Sequence, residues 1–522
     1  MTPQERAQVE IESVRLKVGM EIHVELSTRS KMFTRAPNGA SVEFEDAQPN
    51  SLIDPVVLAL PGALPVMNRS AVEMSMMVGL ALSCEIAPFT KWDRKSYFYP
   101  DLPKAYQISQ YDMPLCFDGA VDVYEPDAKG FPDLSKPSSR IGIIRAHLEE
   151  DAGKLLHEAP GGGSIDGSIV DLNRAGTPLL EIVTQPDFVS SDQCVSFARA
   201  LRATCRFLGV TEGVMQKGHM RFEPNINCVL TTRDGRTITT PIVEVKNLNS
   251  FRALKGAIDF ERRVQAERWR ETGIEFAPGT KSTRGWDDDA QKTLLQREKE
   301  EAEDYRYFPD PDLLPVRVSD EWRAEVAQRV PELPLARMKR YAEHHALSGE
   351  EAWLLAEERA TSEFYDRAVD AAVGLNVPRD QAGKSCATLL LQHGAKRANE
   401  LQVPLTELGI TPEQLAQIAH LRAHDKISAG ASGELFNHLC ERNEPSATAE
   451  SLGEYHGLML VRDDAALDRW CDEVIAANGP IAQQVRDGKT QAVGRLIGEV
   501  MKKSQGAADA KQVRDKLLEK LS

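Results

Sequence analysis

None of the eight cysteines belongs to a CxxC pair; Cys84, Cys116, Cys194, Cys205, Cys228, Cys386, Cys440 and Cys471 are scattered. That excludes a cage of paired thiolates and a disulfide framework, and fits a reducing cytosol. Long apolar runs are also missing. The longest, Met74–Cys84, spans 11 residues, too few to cross a bilayer. The opening MTPQERAQVE is polar and does not resemble a signal peptide. Positive charge is in deficit, with 63 basic against 79 acidic residues and a net charge of −16. This argues against nonspecific coating of nucleic acid but leaves room for a local RNA site. A complete P-loop is absent too. QAGKSCA ends like one, but the first glycine would fall at Pro378 in a helical setting, so any ATP is held without a Walker motif.

What is present is an ordinary globular composition, 42% apolar and 27% charged, over 522 residues, enough for two to four domains. The chain is organised around VRLKVGMEIHVE, Val14–Glu25. Apolar residues fall on even numbers, from Val14 to Val24, and polar residues and one glycine on odd numbers. Period-two alternation predicts a strand with one buried face. Glu21, His23 and Glu25 then line the other face, about 7 Å apart at roughly 3.3 Å of rise per residue. Two carboxylates and an imidazole on a rigid element can hold a hard divalent cation, although a solvated strand face has the same pattern.

In chain order, Asn50–Asn68 reads as a buried loop with short strands, broken by Pro55, Pro61 and Pro65. A helix from Ser70 to Leu82 follows, with Ser70 as cap and Glu73 completing a capping box. Lys91–Asp101 holds three cations and four aromatics, and offers Arg94 or Lys95 to a phosphate. Arg140–Gly153 reads as a strand ending in Glu149, Glu150 and Asp151; Glu149 and Asp151 share one face and Glu150 takes the other. Gly161–Gly167 reads as a hairpin tip rather than a phosphate loop. Glu181, inside LLEIV, must be paired, metal-bound or on an open sheet face. Ser191–Gly209 predicts an amphipathic helix, Asn225–Lys246 a hairpin turning at Asp234-Gly235, and Ser250 to about Thr272 a helix stopped by Gly273. Prolines 309, 311 and 315 forbid helix at the end of the charged stretch Asp287–Pro315. From about Ser319 strand-like alternation disappears and an all-helical region is expected. Its last part, Arg486–Ser522, carries nine Lys/Arg and five Asp/Glu, a basic surface suited to RNA.

VGMEIHVELSTRSKMF, LPGALPVMN, DRKSYFYPDLPKAYQISQYD, HLEEDAGK, DLNRAGTPLLEIVTQPD, VEVKNLNSF and DYRYFPDPDLLP, in this order, together resemble the B subunit family of aspartyl/glutamyl-tRNA amidotransferases. GKTQAVGRLIGEVMKKSQGAADAKQVRDKLLE is similar to the family's tail domain. The resemblance implies an α+β fold: a glutamine-synthetase-like antiparallel-sheet catalytic domain over 1–318, a helical domain over 319–408 and a tRNA-binding helical tail over 409–522. It implies a cytoplasmic carbon–nitrogen ligase in a heterotrimer with an amidase (A-type) subunit and a small (C-type) subunit. The substrate would be misacylated Glu-tRNA(Gln), Asp-tRNA(Asn) or both, activated by ATP and Mg²⁺ to an acyl phosphate that ammonia displaces.

By the same resemblance, His23, Glu150 and Glu181 are expected metal ligands. Glu21, Glu25 and Glu149 complete an acidic shell as second-cation or outer-sphere groups, with the choice among Glu149, Glu150 and Asp151 open. Lys95 neutralises the transferred phosphate, and Arg306 and Tyr307 contact nucleotide or the tRNA end. Many relatives carry a CxC…CxxC zinc site; the matching positions here are Thr34, Ala36, Asp54 and Val57, so no zinc is expected. Two other readings fit parts of the chain. A ligase for a free small acid leaves the basic tail without a role. A noncatalytic RNA-binding protein leaves the acids purely structural.

Overall fold

The alternation over Val14–Glu25 folds as a strand, β1 (Ile11–Glu25), whose even-numbered residues from Leu16 to Val24 are buried. The chain, described from a computed structural model, is placed over residues 1–159, 162–298, 305–460, 464–487, 489–504, 508 and 510–521. It divides into two units, Met1–Pro334 and Leu335–Ser522.

Strands of the first unit follow in order: β2 (Glu85–Ile86), β3 (Phe89–Thr90), β4 (Asp93–Ser96), β5 (Tyr106–Ser109), β6 (Cys116–Val123), β7 (Ser139–Glu150), β8 (Lys154–Glu158) and β9 (Ser164–Asp171). Then come β10 (Pro178–Thr184), β11 (Met220–Thr232), β12 (Thr237–Thr239), β13 (Val243–Lys246), β14 (Ser282–Asp287), β15 (Lys292–Glu298), β16 (Phe308–Pro309) and β17 (Val316–Arg317). The main sheet runs β15-β14-β13-β11-β1-β10-β7-β6-β2, with β12 beside β11. It is mixed rather than antiparallel as expected, because β13 and β14 are parallel. The helix Phe251–Thr272 lies between them in the chain, and such a crossover returns the next strand in the same direction.

One sheet face is apolar. Val18, Met20 and Ile22 of β1, Leu180 and Ile182 of β10, Leu148 of β7 and Phe222 and Ile226 of β11 share a core with the helices Arg69–Ala81, Ser191–Phe207 and Phe251–Thr272. The last of these is capped as the sequence predicts: Ser250 accepts from Ala253 N, and Gly273 stops it at φ 70°. The first is capped two residues earlier than expected. Asn68, not Ser70, accepts from Ser70 N (2.9 Å), and Glu73 instead takes the Arg69 guanidinium at 2.8 Å. Glu73 also binds Trp322 Nε1 (3.0 Å) and Arg329 (2.7 Å), so the helix Asp320–Gln328 is bonded to the first unit. Asn50–Asn68 forms turns without a strand, and Leu60, Leu64 and Val66 are exposed; its prolines withhold N–H groups that a ladder needs. β8 and β9 form the hairpin expected around Gly161–Gly167, of which residues 160–161 lie outside the described residues.

In the second unit every helix or strand assigned among the described residues is helical. Gly383 of the P-loop-like run sits within the helix Arg379–Thr388, pressed against His345, and Lys384 is spent on Glu351 at 2.8 Å. The buried His345 has Nδ1 2.9 Å from the Tyr365 hydroxyl, while its Nε2 has no partner. Burial, helped by Arg340, pushes it down from 6.5 to about 4. The unfolded chain therefore binds the proton first, so stability is fully present above pH 6.5 and declines as pH falls toward 4. Thermal midpoints of the wild type should drop more over that window than those of His345→Gln. Parallel profiles would refute it.

The final helices carry their own core. Val493, Leu496 and Val500, at helical spacing, are buried with Val513 and Leu517, while Ile497 packs at their edge. Part of the basic surface is neutralised: Lys503 pairs with Glu473, Lys516 with Asp468 and Lys520 with Asp472. Arg486, Lys489, Arg495 and Lys502 are exposed.

Candidate metal centre

The opposite face of the sheet is polar, and strand register sets which polar groups meet. On β1, His23 stands opposite Glu181 of β10 and Arg221 of β11; Glu181 in turn stands opposite His147 of β7. Glu21 pairs with Glu223, and Glu149 of β7 pairs with Leu179. Directly opposed residues share a face, so these side chains converge. His23, Glu149 and Glu181 each offer a ligand atom, all within 4.8 Å of one another.

His23 Nε2 is 3.5 Å from Glu181 Oε2, and its Nδ1 is 3.8 Å from Glu223 Oε1. His23 Nδ1 and Glu149 Oε2 are buried without a hydrogen-bond partner. Each such atom costs about 1–3 kcal/mol unless something meets it. Burial alone would strip the proton from His23, but the Glu181 hydrogen bond and the Glu223 and Glu181 charges outweigh it and lift its pKa to about 9. Burial opposes ionisation of Glu181 as well, yet His147, His23 and Lys95 hold it well below the usual carboxylate range. Glu149 is raised by burial, with Lys95 offsetting part of the effect. The carboxylates thus call for positive charge. A divalent cation of the magnesium or manganese type suits two carboxylates and an imidazole, and the orphaned Glu149 Oε2 fits it.

Lys95, on β4, points at this cluster, with Nζ 3.9 Å from Glu149 Oε2 and 5.1 Å from the Tyr305 ring. Burial opposes its charge, but Glu149, Tyr307 and Glu181 raise its pKa. Tyr307 stacks on Tyr111 at 4.3 Å, and its hydroxyl is pushed up to about 12 by burial. Its neighbour Arg306, at φ 46°, lies over Phe98 at 5.6 Å. Arg94 does not offer a free charge: it takes Asp310 at 2.8 Å and Asp312 at 2.7 Å.

The expected trio of His23, Glu150 and Glu181 is not the one brought together. Successive residues of a strand point to opposite faces, and Glu150 points away, pairing with Lys104 and accepting from Ile108 N at 3.0 Å. Glu149 takes its place. Glu25 is also outside the cluster, beside Asp151, where burial and the Asp151 charge raise it to about 8. Asp151 itself takes Arg221 at 2.9 Å and lies 3.6 Å from Arg174.

Glu21 belongs to an adjoining acidic group with Glu223 and Glu244, again with ligand atoms within 4.8 Å. Lys246 bridges Glu223 (2.7 Å) and Glu244 (3.0 Å), and Asn225 donates to Glu21 at 3.0 Å. The sequence pattern did not single out His147, Arg221 or Glu223. MRFEPNIN, residues 220–227, alternates as cleanly as β1, but a hairpin begun at Asn225 leaves out its first half. At the positions of the relatives' zinc site, Thr34 donates to Asp54, and Ala36 and Val57 pack on Ala175.

A family model described as the GatB/GatE catalytic domain matches residues 16–324, and another, described as the GatB domain, matches residues 376–521. A Rhodopirellula baltica protein, named as the B subunit of an aspartyl/glutamyl-tRNA(Asn/Gln) amidotransferase, is 40% identical over 492 residues, 94% of each chain. Proteins of the same name from Thermosynechococcus vestitus (40%, covering 100% of this chain and 98% of theirs) and Azoarcus sp. (39%, 97% and 98%) are similar throughout. Among the described residues no helix is long and apolar enough to cross a membrane.

Proposed function

The chain belongs to the B subunit family of aspartyl/glutamyl-tRNA(Asn/Gln) amidotransferases, and from that premise we propose how its polar sheet face works. The protein serves in a glutamine-dependent carbon–nitrogen ligase, acting with an amidase (A-type) subunit and a small (C-type) subunit. It converts misacylated Glu-tRNA(Gln) and/or Asp-tRNA(Asn) to the amidated forms in the cytoplasm. The observation that carries the site is the meeting of His23, Glu149 and Glu181, with Lys95 beside them.

A carboxylate has no leaving group that ammonia can displace. An oxygen of the substrate's side-chain carboxylate attacks the γ-phosphorus of ATP, ADP departs, and an acyl phosphate forms. Ammonia then adds to the acyl carbon, loses a proton, and inorganic phosphate leaves. Such phosphoryl transfer needs positioning and charge neutralisation more than covalent help. His23, Glu149 and Glu181 would hold Mg²⁺, which neutralises phosphate oxygens when bound. Lys95, whose Nζ is 3.9 Å from Glu149, would offer its charge to the transferred phosphoryl group. His147, held near pKa 4 by burial, stays neutral next to Glu181 and adds no charge that would repel the cation. Glu21, Glu223 and Glu244 offer a second, lysine-bridged acidic group. Tyr307, which interacts with Lys95, and its neighbour Arg306 would contact nucleotide or the tRNA end. A glutamine-synthetase-like fold of the catalytic domain, which also forms an acyl phosphate, is supported by its large sheet backed by helices.

The test is the assembled complex with misacylated tRNA, ATP and Mg²⁺. Ammonium should support amide formation after the glutaminase activity of the partner has been abolished, with one ADP per amide. No amide from ammonium would sink the reading.

The tail, within the helical region 409–522, supplies the tRNA body contact. Arg495→Glu combined with Lys502→Glu should weaken tRNA binding by about tenfold at moderate salt and flatten its salt dependence. An unchanged slope of affinity against salt would place the contact elsewhere.

A further inference from the structure

A cavity of about 480 Å³ opens on the helix side of the main sheet, between the helix Phe251–Thr272 and the segment leading into β14. At one edge its lining residue Lys281 reaches Glu244 of the polar face. Among the described residues its charged lining is cationic: Arg268, Lys281 and Arg284. This is unusual in a chain of net charge −16. Trp269, Ile274 and Pro278 supply an apolar wall.

The cations are incompletely balanced. Glu261, fully buried beneath them, takes Arg268 at 2.9 Å and lies 3.7 Å from Arg284. Arg284 otherwise donates to Thr293 at 3.0 Å. Lys281 reaches Glu244 at 3.1 Å, but Lys246 already holds that carboxylate. Three cations therefore face one and a shared second carboxylate. The two guanidiniums also crowd one another: burial and then Arg268 lower Arg284 from the usual guanidinium range. Trp269 adds a buried indole N–H without an acceptor. A guanidinium fork suits a planar carboxylate, and an aromatic wall suits a flat apolar body.

We propose that this cavity binds a small organic monoanion, a carboxylate carried on a ring-sized apolar body, with Arg284 and Lys281 holding the charge and Trp269 the body. The site adjoins the polar sheet face through the Lys281–Glu244 pair, but its test reads binding alone, so it stands or falls independently of the reaction.

The probe is 2-naphthoate, with neutral 2-naphthamide as its control, titrated calorimetrically into the full chain in its complex. Naphthoate should bind saturably and at least tenfold more tightly than naphthamide. Arg284→Gln should weaken naphthoate at least tenfold and naphthamide less than twofold. Lys281→Met, at a more exposed position, should weaken naphthoate severalfold and naphthamide less than twofold. Equal affinity for the two probes in the wild type overturns the proposal. So does naphthoate binding that both variants leave intact.

Discussion

Glu149→Gln should reduce ATP-dependent amide formation on the order of 10²–10³-fold, while leaving the melting temperature at or above that of the wild type. Glu149 is a buried carboxylate whose Oε2 has no hydrogen-bond partner and whose nearest cation, Lys95, stands at 3.9 Å. Burial already raises its pKa, so the folded chain gives up stability to keep it charged. A neutral amide relieves that strain and removes the anionic ligand. Glu150→Gln should behave oppositely in stability. It breaks a buried pair with Lys104, whose loss should cost about 3 kcal/mol because the lysine is left uncompensated. The measurement is ADP release and melting temperature for both variants in the assembled enzyme. Full turnover in Glu149→Gln would remove this carboxylate from the chemistry.

Lys95→Met should be the second severe loss, on the order of 10²-fold in kcat/KM for ATP. The ammonium stands between Glu149 and the Tyr305 ring, and its charge helps keep both Glu149 and Glu181 ionised. Removing it takes away the positive charge facing the phosphoryl group and raises the cost of both ligand carboxylates. Lys95→Arg, which restores a charge of different shape, should recover part of the rate. The amidase partner's hydrolysis of glutamine should be untouched. A methionine variant that releases ADP at the wild-type rate would show that Lys95 serves only to neutralise Glu149.

Much of this was legible in the residues. Val14–Glu25 names its own buried and polar faces, and Ser250 by its hydroxyl and Gly273 by its left-handed backbone mark the two ends of a helix. The same local logic placed Glu149 and Asp151 on one side of β7 and Glu150 on the other. It left open which side would meet His23. The capping-box pattern pointed to Ser70, but Asn68, an equally good cap two residues earlier, took the position.

What the sequence by itself determined is the local state of most segments, the family, and the two faces of strands such as Val14–Glu25, because these depend on neighbours a few residues away. What only the tertiary structure decided is register. Glu181 meets His23 across a long stretch of intervening chain, with Glu149 rather than Glu150 beside them. A slip of one residue in any of these pairings would turn every side chain of that strand to the other face. No periodicity within a strand carries that information, since it resides in the fit of apolar side chains from distant strands and helices into one core.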